Sequence, residues 1–106
     1  MKYLKSYENY ENLEKDRYED GDIIMINIEY QIDYDNNNTV EEFLRKIDPI
    51  QMIHINDDGD YYINHQNWGI KSQRPFFLEP ESIERLATPE EEENYWINLK
   101  MKKYNL

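Results

Sequence analysis

The run "DIIMINIEYQIDY" constrains this chain more than any other stretch. Ile24, Ile26, Ile28, Tyr30 and Ile32 alternate with Asn27, Glu29 and Gln31. A period of two over so many residues predicts a long β-strand with one face buried and one wet. Ile23 and Met25 make the start of that strand apolar on both sides. A strand of this kind needs partners to pair with and a layer to cover its apolar face. The chain has 106 residues with which to supply them, one domain's worth, so residues 1–106 are read as a single domain. Ten Tyr, three Phe and two Trp make the core largely aromatic and Ile-rich, because those side chains bury the most apolar area each.

The flanking segments supply candidates for the other layers. Before the strand, "SYENYENLEKDRYEDGD" fits either a helix or an extended arm over residues 1–20. As a helix it opens at Ser6, stops near Gly21, and aligns Tyr3, Tyr7, Tyr10 and Tyr18 on one side with Leu13 at the edge. Residues 21–80 read as a β-rich core. Within it, "DYDNNNT" is a polar loop, and Thr39 with Glu42 has the form of a capping box. That pair predicts a short helix over residues 40–47, ended by Pro49, with Phe43, Leu44 and Ile47 inward. "IQMIHINDDGDYYIN" predicts a β-hairpin turning at Asp58-Gly59, a pair suited to positive φ. "NWGIKS" and "PFFLEP" predict further extended pieces, with Trp68, Ile70, Phe76, Phe77 and Leu78 in the core.

Charge and composition exclude several functions. Twenty-three acidic residues against twelve basic ones give a net charge of -11, which repels phosphate backbones and anionic membrane surfaces and favours basic partners. The same charge also serves simply to keep a small protein in solution. Neither disulfides nor thiolate zinc sites are available, since there is no Cys, and this suits a reducing cytoplasm. No signal-peptide core or membrane-length apolar run is evident, so a soluble intracellular protein is expected. Asp57, Asp58 and Asp60 lack the alternate spacing and closing Glu of an EF-hand. His54 and His65 do not fall opposite each other in the predicted hairpin, and no third ligand has an evident position. No metal and no cofactor is expected. The only serines are Ser6, Ser72 and Ser82, no nucleophile elbow, phosphate loop or zinc-protease spacing occurs, and catalysis is not expected.

Several short motifs, taken together, carry a resemblance. "YEDGDIIMI", the later "DGDYYIN", Trp68, and "FLEPESIERLATPEE" resemble a group of small phage-encoded proteins built on an SH3-like barrel. In that group a Gly-Asp leads into the first strand, an Asp-rich turn precedes a Tyr-containing strand, and a Leu-Glu-Pro closes the barrel. The similarity runs from Tyr18 to Glu92 and departs at the predicted helix over 40–47 and at the acidic, Tyr-rich start. It implies a viral accessory protein acting in the cytoplasm of an infected bacterium, and it carries over no catalytic residue.

The end of the chain is a helix by every local criterion, predicted over residues 88–104. Thr88 and Glu91 form a capping box around Pro89, Glu90 to Glu93 match the positive end of the helix dipole, and Lys100, Lys102 and Lys103 match the negative end. At about 100° per residue, Tyr95, Trp96 and Leu99 fall on one side and Ile97, Met101 and Tyr104 on the other. One face can dock on the sheet. The other needs a cover, from the N-terminal segment, a second subunit or a different protein.

The expectation is therefore an α+β domain: a small antiparallel sheet or SH3-like barrel with a short inserted helix and a C-terminal helix, acting by protein binding. One reading is an inhibitor of anti-CRISPR or anti-restriction type, whose carboxylates stand in for phosphates on a basic host nuclease. Its candidate contacts are Glu90, Glu91, Glu92, Glu93, Asp57, Asp58 and Asp60, with aromatic anchors. The other is an adaptor that self-associates, as a homodimer, or docks a partner through Tyr95, Trp96, Met101 and Tyr104 of the terminal helix.

Overall fold

A computed structural model describes residues 17–65, 68 and 75–104, the last three of these through their backbone alone. The expected N-terminal helix or arm, with Tyr3, Tyr7, Tyr10 and Leu13, lies outside the described residues, as do Ile70 and nearly all of "NWGIKS". What is described is α+β, with two small antiparallel sheets, three α-helices and one 3-10 turn.

Strand formation begins where the chain is apolar on both sides. A turn from Glu19 to Asp22, closed by the Asp22 amide donating to the Glu19 carbonyl at 3.0 Å, places Gly21 at φ 91°, a value only glycine adopts at little cost. It delivers β1, Ile23–Ile26. Ile23, Ile24 and Ile26 are all buried, because β1 is the central strand of the first sheet, between β2 (Ile50–Met52) and β6 (Ile83–Leu86).

The long strand expected from the sequence stops at Ile26. Asn27 turns the chain into helix α1, Ile28–Asp35, its side-chain oxygen accepting from the Tyr30 amide. Asn36 ends that helix in the left-handed region at φ 47°, a conformation that Asn tolerates better than most residues. The alternation that suggested a strand is two helical pairs interleaved. Ile28 and Ile32, four apart, pack toward the core, while Tyr30 and Tyr34, also four apart, point to solvent. Gln31, expected on the wet face, is buried between them at 1% exposure.

Helix α2 spans Asn38–Leu44, earlier at both ends than the 40–47 expected. Its cap is Asn37 rather than Thr39: the Asn37 side chain accepts from the amides of Thr39 and Val40, leaving the expected Thr39–Glu42 box unused. Phe43 and Leu44 face inward as anticipated, and Ile47 is buried just beyond the helix.

The apolar run 50–55 divides between two sheets instead of forming one arm of a hairpin. β2 pairs with β1 (Ile24 opposite Gln51), and Ile53 leaves the ladder to exchange backbone bonds with Gly21 and Asp22. The chain then continues as β3, His54–Ile55, in the second sheet. That sheet has the order β3-β4-β5, with β4 at Tyr61–Asn64 and β5 at Pro75–Leu78. The β3–β4 turn contains Asp57, Asp58 and Gly59, and only Gly59 takes positive φ, at 85°. Asn56 organises it, its backbone bonded to Gly59 and Asp60 and its side chain accepting from Asp58 and Asp60. The result is a three-residue loop on a type I turn, where the sequence suggested a two-residue one. A 3-10 turn, Pro80–Ser82, links β5 to β6. Among the described residues no ladder joins the two sheets.

One hydrophobic cluster lies between these elements, built on Ile24, Ile26, Leu44, Ile53 and Ile63. Phe43, Trp68 and Phe76 form an aromatic triangle at its edge, with ring centroids 4.8 to 5.1 Å apart. Phe77, expected in the core, points outward at 49% exposure, because successive residues of β5 alternate faces and Phe76 and Leu78 take the inner one.

Candidate interaction surface

Helix α3, Pro89–Tyr104, starts as the sequence predicts. The Thr88 amide donates to Glu91 Oε1 at 2.8 Å, and the Glu91 amide donates to Thr88 Oγ1 at 3.2 Å, a reciprocal capping box. The sheet reinforces it. Arg85, on β6, donates two bonds to the Glu91 carboxylate at 2.7 and 3.1 Å and a third to the Leu86 carbonyl at 3.0 Å. The Arg85 guanidinium holds the Glu91 carboxyl below its ordinary pKa, with the Thr88 amide assisting against partial burial. One turn further, Tyr95 lies half-buried against β2. Burial pushes its hydroxyl up, opposed by a hydrogen bond from the Met52 backbone.

Beyond these anchors the helix stands clear of the sheets. Trp96, Ile97, Leu99 and Met101 are 41%, 45%, 48% and 55% exposed. The sequence placed Tyr95, Trp96 and Leu99 on one side and Ile97, Met101 and Tyr104 on the other without deciding which side docks; of the first three, only Tyr95 is half-buried. Among the described residues the first sheet is three short strands wide, so these strands support the start of a 16-residue helix and not its length. Pro89, Glu93, Trp96, Ile97 and Lys100 line a shallow concavity on the outward side. The Tyr95 and Trp96 rings meet edge to face, with centroids 5.2 Å apart, which ties the indole to the half-buried Tyr95.

The candidate acidic contacts divide. Glu90 and Glu93 are exposed, while Glu91 is committed to Arg85 and Thr88, and Glu92 is half-buried. Asp57, Asp58 and Asp60 are exposed on the β3–β4 turn. Tyr104 belongs to the last turn of α3, and its side chain lies outside the described residues. Among the described residues no group of three His, Cys, Asp or Glu side chains converges as a metal site. His54 stacks on Tyr62 and lies 3.7 Å from Asp20, whereas His65 meets Phe43 edge to face. Ser82 is fully buried, its hydroxyl donating to the Glu79 carbonyl at 2.7 Å.

Two surface features escaped the sequence. The first joins α1 to the 3-10 turn. The Tyr30 hydroxyl donates to Glu81 at 3.3 Å, and a hydrogen bond with Glu79 pushes the Tyr34 hydroxyl up. Glu79 is itself pushed above its ordinary pKa, first by hydrogen bonding with Glu81 and then by burial. Gln31 braces the arrangement from within, accepting from the Glu79 amide at 2.9 Å and donating to Asp35 at 2.8 Å. Asn27 as a cap, with Glu29 in the following turn, was the available signal for the helix that builds it. The second feature is a ladder of His54, Tyr62 and Phe77 across β3, β4 and β5, with successive centroids 5.4 and 5.8 Å apart. Its signal was the outward position of alternate residues, recoverable once the register is known.

Among the described residues no helix is long and apolar enough to cross a membrane. Comparison with protein-family models, with characterised proteins and with solved structures gives no match.

Proposed function

We propose that this protein is a non-catalytic binding module whose docking element is the outward side of α3. One observation carries the reading: a helix fixed at its first turns by Arg85, Thr88 and Tyr95 leaves Trp96, Ile97, Leu99 and Met101 exposed on the same short segment. Four large apolar residues on one segment cost solvation that a monomer gains nothing from, and aromatic and Met side chains are enriched in interface cores. The scaffold is read as SH3-like, since the run 50–55 serves both sheets and a 3-10 turn precedes the last strand. That reading agrees with the resemblance to small phage accessory proteins.

A second reading keeps the acidic surface as the contact, with the protein inhibiting a basic nucleic-acid-processing enzyme of a bacterial host, of anti-CRISPR or anti-restriction type. The net charge of -11 and the exposed Glu90, Glu93, Asp57, Asp58 and Asp60 favour it. Affinity capture from a bacterial lysate at low and high salt separates the two. Docking through α3 predicts a partner that is weakened but not lost at high salt and is lost with Ile97→Asp. A partner lost at high salt, and lost on reversing Glu90 and Glu93 but not with Ile97→Asp, transfers the function to the acidic surface.

A further inference from the structure

We propose that the occupant of the outward side of α3 is a second copy of this chain, paired antiparallel about a twofold axis between Trp96 and Ile97. The proposal rests on the reading of α3 as the docking element and names its partner.

The argument is one of charge and register. The helix is acidic at its start and basic at its end, with Glu90 and Glu93 exposed in the first half and Lys100 exposed in the second, and with position 103 again a lysine. At about 100° per residue, positions 90, 93, 96, 97, 100 and 103 all fall within one side of the helix, away from Tyr95. A twofold between Trp96 and Ile97 brings Trp96 against Ile97 of the second copy at the centre. It also brings Glu93 level with Lys100 of the second copy, each about 5 Å along the axis from the twofold at a rise of 1.5 Å per residue. Positions 90 and 103 match in the same way about 10 Å out. Each opposite-charge pair occurs twice, as in any isologous contact. A parallel arrangement sets Glu93 against Glu93 and Lys100 against Lys100, so the pattern selects direction as well as partner. Met101 flanks the central apolar contact.

The test is sedimentation equilibrium of the full chain at low salt, from about 1 µM to about 1 mM, the span in which a single-helix contact dissociates. The expected result is a reversible dimer. Glu93→Lys and Lys100→Glu each replace two attractive pairs with two repulsive ones and weaken the dimer about tenfold. An equimolar mixture of the two variants restores association, because the lysine introduced at position 93 of one copy then faces the glutamate introduced at position 100 of the other. A full chain that stays monomeric throughout, with residues 1–16 or a different protein as the cover, overturns the proposal. So does a dimer unaffected by either charge reversal. If the chain is monomeric and Ile97→Asp still abolishes capture of another protein, self-pairing falls while docking through α3 stands. If Ile97→Asp changes neither measurement, both fall.

Discussion

Replacing Glu91 tests whether α3 is held where its outward side is presented. Glu91 accepts one bond from the Thr88 amide and two from Arg85, and each contact has a separable cost. In Glu91→Ala the Thr88 amide loses its partner, costing about 1 kcal/mol. The ion pair, about a quarter exposed on each side, adds about 0.5–1 kcal/mol after screening by solvent. Alanine's better helix propensity returns a few tenths of a kcal/mol. The expected loss is about 1.5 kcal/mol, or a fall in Tm of roughly 6 °C for a domain of this size. Glu91→Gln keeps an acceptor for the Thr88 amide and forfeits mainly the charge, so about half of that loss is expected. Urea unfolding followed by circular dichroism reads both. If Glu91→Ala unfolds within about 0.3 kcal/mol of the parent, the ordinary scatter of surface substitutions, the capping box and Arg85 do not anchor the helix.

Other consequences follow from the same bonds. The folded Glu91 carboxyl is held below its ordinary pKa by Arg85, and that of Glu29 by Arg45. Both contributions are therefore complete above the unfolded value of about 4.3 and decline as pH falls through the folded values, so urea midpoints drop on acidification below about pH 5. Glu79 has the opposite sign: its pKa is raised by Glu81, so Glu79→Gln stabilises at neutral pH and not below the ordinary carboxylate range. Gln31→Leu removes the partner of the partly buried Glu79 amide and costs about 1 kcal/mol by urea unfolding, although Gln31 itself is buried. Asn36→Ala, at φ 47°, costs about 1 kcal/mol in the same assay, whereas Asn36→Gly is close to neutral.

What could be read from the sequence was local. Thr88, Pro89 and Glu91 specify a helix start through bonds that span three residues, and the structure shows those bonds. Gly59 marks a turn for the same reason. Periodicity failed where two patterns coincide: Ile28/Ile32 and Tyr30/Tyr34 are each spaced by four, and interleaved they imitate a strand. The Asn residues at 27 and 36 that bracket the helix carry the deciding information. The division of residues 50–55 between two sheets depends on long-range bonds from Ile53 to Gly21 and Asp22, which no short window contains. The exposure of Trp96 and Leu99 was hidden as well, because it depends on the width of the sheet beneath α3 and not on the helix itself.

The most direct measurement is photo-crosslinking from a benzophenone side chain placed in turn at Met101, at Asp58 on the β3–β4 turn, and at Lys46 beyond α2, all exposed. With a lysate present, docking through α3 predicts a discrete adduct from position 101 and none from 46 or 58, and self-pairing predicts that the 101 adduct has the mass of two copies of the chain. An adduct from position 58 with none from 101 contradicts the account and places the contact on the acidic turn.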